Sequence, residues 1–256
     1  MTEPMSPSSS FMDHFAELRN RLMWCVVVLV VLSIASYIFV EDIYGFLVKP
    51  LADAMGPNDS QRLIYTNLTE AFFTYMKVSV FTGAFLTFPF LLMQIWRFIS
   101  PGLYENEKNT VWPFLVAAPI LFFLGGALVY FIVLPLAWSF FLSFQNTGSD
   151  TVLPIMLEAR VGDYLDLVMT LIFAFGVCFQ MPILMALLGK AGIIRADMLV
   201  KFRRYAIVVI FVIAAILTPP DIISQISLAI PLMALYEISI YLIRRLEPPL
   251  HGTSAT

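Results

Sequence analysis

Val111–Phe144 reads VWPFLVAAPILFFLGGALVYFIVLPLAWSFFLSF, and no Asp, Glu, Lys or Arg follows until Asp150. About 20 apolar residues cross the ~30 Å hydrocarbon layer of a bilayer, at ~1.5 Å per helical residue. This run exceeds what a straight span needs. Pro113, Pro119, Pro135 and the Gly125-Gly126 pair predict kinks and a stretch that continues outside the membrane. Lipid is the solvent this stretch requires, and the rest of the chain is read outward from it.

The composition agrees. Of 256 residues, 60% are hydrophobic and 13% charged, with a mean hydropathy of +0.86, whereas soluble domains carry about 25% charged residues. That excludes a soluble globular enzyme and a disordered chain, and a net charge of −3 argues against a nucleic-acid binder. Cys25 and Cys178 lie inside apolar runs and read as small buried hydrophobes rather than a disulfide pair. Polar residues before Met23 and the lack of a small-x-small site predict a retained anchor rather than a cleaved signal.

The chain reads as one integral membrane domain, all-α and polytopic, with six transmembrane helices at about 23–40, 72–96, 111–138, 167–188, 206–217 and 222–243. Residues 1–22 form an N-terminal cytoplasmic helix and 244–256 a cytoplasmic tail. Lys77 is expected to snorkel from the edge of span two. The fifth span is only about 18 Å long if helical, and Thr218-Pro219-Pro220-Asp221 turns it tightly into the sixth. Such a short hairpin implies local thinning of the bilayer. Arg19, Arg21, Arg97, Lys108, Lys190, Arg195, Lys201, Arg203, Arg204, Arg244 and Arg245 fall on the side of both termini; only Lys49, Arg62, Lys77 and Arg160 fall on the other. The positive-inside rule then places both termini in the cytoplasm. Ser10-Phe11-Met12-Asp13 has the form of a helix-start box, and Phe11, Phe15, Leu18 and Leu22 make an apolar stripe along the helix that follows. No internal repeat is visible.

No phosphate loop, HExxH or nucleophile elbow is present, and the two histidines, His14 and His251, are terminal. Neither an enzyme, a metal site nor a cofactor is expected. The informative residues are polar ones beside or inside the apolar runs. Asp13, His14, Glu17, Arg19 and Arg21, with Glu105, Glu107 and Lys108, form either a solvated rim, with Glu17 and Arg21 as an i, i+4 pair, or an acidic pocket for a basic peptide. Gln180, beside Pro182, and Gln225 and Glu237 in run six are intramembrane polar groups. Each is a functional candidate by position. The alternatives are a packing role for Gln180 and an interfacial location for Gln225 and Glu237.

His14–Leu22, HFAELRNRL, resembles the H-x-x-E-L-R-x-R-L start of the TatC family, the multispan core of the twin-arginine protein translocase. Trp96–Glu107, WRFISPGLYENE, resembles its first cytoplasmic loop. Phe175–Pro182, FGVCFQMP, resembles its fourth span, and Leu217–Asp221, LTPPD, followed by Gln225, its last outer turn. The resemblance implies a receptor for twin-arginine signal peptides and the core of a translocase. It would export folded proteins across the bacterial cytoplasmic (inner) membrane using the proton-motive force. Its implied partners are single-span TatA/TatB-type subunits, the signal peptides of folded cargo, the lipid bilayer and further copies in a multi-subunit complex. It further implies that Glu17, Arg19, Phe98 and Glu107 bind the signal peptide and that Gln180, Asp221 and Gln225 contact partners. Pro50, Tyr130, Pro219 and Pro220 serve structure and assembly. Many members have Glu where this chain has Gln180, an amide that cannot titrate. A planar guanidinium binds carboxylates bidentately, which gives the two glutamates a physical rationale. The rival class is a secondary transporter or channel for a small solute, which solute-stimulated flux in liposomes would reveal.

The topology is directly testable. Cysteines at Asn106 and Ala196 are expected to react with a membrane-impermeant thiol reagent only once the inner face is exposed, while one at Ser149 reacts in intact spheroplasts. Labelling of position 106 from outside would overturn the six-span arrangement.

Overall fold

A computed structural model describes residues 7–56, 62–99, 105–145, 157–218 and 222–246. Among them the structure is helical, with no strand and one isolated parallel bridge between Ile64 and Arg160. The helices are α1 (Pro7–Ile38), α2 (Val40–Met55), α3 (Glu70–Ile99), α4 (Glu105–Leu128), α5 (Leu134–Leu142), α6 (Val161–Cys178), α7 (Met181–Lys190), α8 (Ala196–Leu217) and α9 (Ile222–Leu246). Five stretches among the described residues are long and apolar enough to cross a membrane: Phe15–Ile38, Glu70–Ile95, Pro113–Leu142, Val161–Lys190 and Ser224–Leu246. The chain divides into two compact units. One comprises residues 1–49, 60–120 and 158–169; the other 50–59, 121–157 and 170–256.

Several element boundaries differ from the sequence expectation. The first helix starts at Pro7, not at Ser10, and runs 32 residues without a break between its N-terminal part and span one. Pro at a first helical position needs no N–H partner and has its φ preset, so it starts a helix better than an interior serine. The α2 helix, read in the sequence only as an outer segment, places Glu41 and Asp42 in its first turn, where they favour the N-terminal dipole. Leu47 and Leu51 are buried on one face of it, as is Pro50. In the long third run, α4 passes through Pro113, Pro119 and the glycine pair without ending. The disruption comes later, as a π-helical turn at Val129–Val133. Pro135 lacks an N–H and its ring crowds the carbonyl of Phe131. The Leu134 N–H instead reaches back five residues to the Val129 carbonyl, and the wider turn absorbs the proline.

Span four is likewise two helices rather than one. Pro182 cannot bond the Cys178 carbonyl, and the chain breaks at Phe179–Gln180. The Gln180 N–H donates to Val177 O at 2.9 Å, a tightened i→i+3 turn, and Leu184 N–H resumes the α pattern onto Gln180 O at 3.0 Å. The fifth apolar run is the C-terminal part of a full 22-residue helix, α8.

Small residues set the closest helix contacts. Within the first unit α1 packs along α3. There a Cβ on Gly83 would lie 2.7 Å from Ser33 N and 2.8 Å from Ser33 Cα, and would also overlap Ser33 Oγ. Within the second unit, a Cβ on Gly125 would meet the Phe175 carbonyl oxygen at 2.7 Å, and one on Gly176 the Phe122 ring at 2.5 Å. Gly125, of the glycine pair in the third run, thus allows close approach of helix backbones, as small residues do between helices in lipid.

Gly83→Ala is expected to destabilise the protein in detergent by about 1–3 kcal/mol, the usual range for overpacking. Ser33→Gly should rescue it only in part, because the Ser33 backbone remains in place. An unchanged melting temperature in Gly83→Ala would show that α1 and α3 do not approach this closely.

Candidate functional site

The residues expected at the inner face lie on α1 and α3. Glu17 is half-buried and Arg19 exposed on α1; Phe98 is half-buried near the end of α3. Arg21 donates from Nε to Glu17 Oε1 at 3.0 Å and also from Nη2 to the same oxygen. Its Nη1 reaches Gln94 Oε1 on α3 at 3.2 Å. One guanidinium therefore ties the two helices together and orients the Glu17 carboxylate. Both contacts fall on Oε1. A carboxylate has about four lone-pair sites, so Oε2 has acceptor capacity for a further cation. The i, i+4 pair foreseen in the sequence is present, and Arg21 contacts only one of the two Glu17 oxygens. Glu107 lies near the start of α4; its side chain lies outside the described residues.

The intramembrane candidates separate into two places. Gln180 is 5% exposed, at the helix break that Pro182 imposes. Gln225 belongs to the α8–α9 hairpin, where its Nε2 donates to Phe211 O at 3.1 Å. Two further contacts join these helices: Tyr236 Oη donates to Leu199 O at 2.8 Å and Arg203 pairs with Glu237 at 2.6 Å. Glu237 is thus a partner in an ion pair between α8 and α9. Tyr130 is buried within the π-helical turn. Pro219, Pro220 and Asp221 lie outside the described residues.

The sequence reading missed a polar node in the first unit. The Glu70 carboxylate, at the start of α3, accepts from Thr66 N at 2.9 Å and Asn67 N at 3.4 Å through Oε2. It also accepts from Gly162 N at 3.3 Å through Oε1, and pairs with Arg160 Nη2 at 3.1 Å. Ile64 N donates to Ala159 O at 3.0 Å and Val161 N to Ile64 O at 2.9 Å, so the two chain segments entering α3 and α6 are stitched side by side. The Glu70 hydrogen bond first, and the Asp163 charge second, raise the Arg160 guanidinium above its ordinary value, so it stays a cation at any working pH. One to two turns further along the same helices, Lys77 Nζ sits 2.7 Å from Asp166 Oδ2. Lys77 therefore pairs across helices with a carboxylate on the neighbouring helix. A signal for this was present: Glu70 and Lys77, seven apart, carry the reverse signs of Arg160 and Asp166, six apart. That pattern marks two helices running side by side in the same direction.

No group of three or more His, Cys, Asp or Glu able to hold a metal occurs among the described residues. The fold and the polar groups define a multi-pass membrane protein whose polar side chains join helices to one another and include a guanidinium-bound carboxylate near one helix end. Comparison with known proteins specifies the class. Residues 13–231 match the family model described as Sec-independent protein translocase protein (TatC). The TatC of Magnetococcus marinus is 47% identical over 247 residues, covering 96% of this chain and 88% of that protein. The TatC of Rickettsia prowazekii is 45% identical, covering 94% of each. A crystal structure of the twin-arginine translocase receptor TatC superposes with a TM-score of 0.78 at 38% identity, covering 91% of this chain and 99% of that one. The chain belongs to the TatC family and is a core component of the Sec-independent protein translocase.

Glu70→Gln keeps the size of the side chain but removes the charge that serves three backbone N–H groups and Arg160. It is expected to lower the melting temperature and to speed proteolysis within 62–69. Adding Arg160→Gln should do little further harm, since the two act as a unit. Additive losses in the double variant would show that the node is not one cooperative contact.

Proposed function

We propose that this protein binds twin-arginine signal peptides at the inner ends of α1, α3 and α4 and exports their folded cargo with single-span TatA/TatB-type partners, driven by the proton-motive force. In this reading it spans the bacterial cytoplasmic membrane six times. The sixth crossing is supplied by the short apolar part of α8, with both termini in the cytoplasm. The observation that supports it is the Glu17–Arg21–Gln94 arrangement in a chain of this family: a carboxylate held in place by one guanidinium offers its second oxygen to another. Glu107, from α4, supplies a second carboxylate for the second arginine. Phe98 and the exposed apolar residues Phe15, Leu18 and Leu22 give the signal's hydrophobic segment a surface beside the charges. Arg19, of the peptide's own sign, disfavours cations set out of register with the two carboxylates.

Two charge-assisted hydrogen bonds of roughly 1.5–3 kcal/mol each give a selection of a hundredfold or more over a sequence lacking the arginine pair. Lysine, a point charge without the planar fork, gains less at the same position. Gln180 in this reading is a docking group: its amide donates and accepts within the membrane, where interhelical hydrogen bonds contribute about 0.6–2 kcal/mol. It carries no proton through the bilayer. Gln225 and Asp221 serve partner contact, and Pro50, Tyr130, Pro219 and Pro220 serve structure and assembly.

Glu107→Gln should weaken binding of a twin-arginine peptide by about 1–3 kcal/mol, and the double change with Glu17→Gln should abolish export at unchanged protein abundance. Isothermal titration with the peptide, alongside an export assay, reads both. Undiminished affinity in the Glu107 variant would return these residues to a solvated rim.

A further inference from the structure

The α8–α9 hairpin has a step built into it. Gln225 and Phe211, joined by their hydrogen bond, mark one level on both helices. At ~1.5 Å per residue, Arg204 lies about 10 Å from that level along α8 and Lys201 about 15 Å. Arg244, near the end of α9, lies about 28 Å from it. The Tyr236–Leu199 hydrogen bond keeps the same register halfway along. Two cations of α8 therefore stop roughly 13 to 18 Å short of the cations that end α9, level with the uncharged Leu232–Leu235 of α9.

These cations are not used up within the hairpin. Arg203, between them in sequence, is neutralised by Glu237 at 2.6 Å. Lys201 and Arg204 are exposed, and the Arg204 guanidinium lies 4.9 Å over the exposed Tyr205 ring, which preorients it. The one carboxylate on this stretch of α8 is Asp197, a turn before Lys201 and therefore farther from the hydrocarbon. In the other direction the exposed face continues through Val208, Val209 and Val212. Two exposed cations at this depth are unfavourable in hydrocarbon unless anions meet them.

We propose that the face of α8 bearing Lys201, Arg204 and Tyr205 is a binding site for an anionic phospholipid of the inner leaflet. Its phosphate lies between the two cations and an acyl chain lies along Val208 and Val212. The charge of the site selects anionic over zwitterionic headgroups, and the aliphatic strip selects a lipid over a free phosphate ester. The site rests on the reading of α8 as a membrane span, which thiol labelling at position 196 tests separately.

The full-length protein in detergent is titrated with phosphatidylglycerol, phosphatidylcholine or glycerol 3-phosphate, with binding counted by native mass spectrometry. Wild type should bind phosphatidylglycerol in preference to the other two. Lys201→Gln with Arg204→Gln should weaken that binding about thirtyfold, from roughly one membrane-surface increment per basic residue. Arg204→Lys should keep most of it, and Arg244→Gln with Arg245→Gln should leave it near wild type. Equal loss in the Arg244/Arg245 variant would reduce the effect to general attraction at the inner end and overturn the site. Glycerol 3-phosphate binding as tightly as the lipid would overturn the lipid assignment. Wild-type indifference between the two phospholipids, with position 196 labelling only from the inner face, would sink the site and leave the span standing.

Discussion

In hydrocarbon there is no water to receive a backbone N–H or C=O left unpaired, so each must find its partner within the protein. Much of this architecture answers to that demand. It selects helices throughout, and it decides what happens where proline removes a donor. Ahead of Pro135 the helix widens to a π-helical turn; ahead of Pro182 it tightens to an i→i+3 turn before α7 begins. Two opposite local adjustments meet the same deficit. Hydroxyl side chains obey the rule too: Ser79, Thr82, Thr87, Thr218 and Ser239 each donate to the carbonyl one turn back. Polar side chains thus enter the apolar helices without requiring water.

Charged groups face a stricter version of that constraint. Along the described helices the ion pairs tie one element to another: Arg160 to Glu70, Lys77 to Asp166, and Arg203 to Glu237. Arg21 adds a bridge from α1 to α3 while holding Glu17. The pairs at half-exposed sites contribute little stability individually. Their value is positional, because each fixes which residue of one helix stands opposite which residue of the next. In the α8–α9 hairpin one ion pair and two hydrogen bonds set the register along its length.

Much of this was legible in the sequence, and the reasons are specific. The apolar runs survive as helices because span length is dictated by bilayer thickness, a quantity outside the protein. Glu17 and Arg21 were recognisable as neighbours because four residues make one turn. Contacts between distant segments were not legible in that way. Nothing in the spacing of Gly125 separates a kink from a close crossing; only the Phe175 carbonyl lying against it decides. The start of α1 at Pro7 instead of Ser10, and the break at Phe179–Gln180, turn on single prolines whose effect depends on the turn around them. The Glu70 node escaped because its acceptor contacts are to backbone N–H groups, which leave no mark in residue type. The charges of Glu70, Lys77, Arg160 and Asp166 did leave one, as paired signs in reversed order.

The crossing of α4 and α6 rests on two glycines: Gly176 lies against the Phe122 ring, and Gly125 against the Phe175 carbonyl and the Phe179 ring. Volume added at Gly176 is compensated by volume removed at Phe122, so these two positions cannot drift independently over evolutionary time, whereas a Cβ at Gly125 meets backbone that no substitution removes. A lineage that enlarges position 176 must first shrink position 122, and until it does the chain occupies a packing arrangement less stable than either endpoint. The interlock therefore acts as a barrier in sequence space as well as a contact in the bilayer, and it confines the substitutions open to these helices more tightly than their uniformly apolar composition suggests.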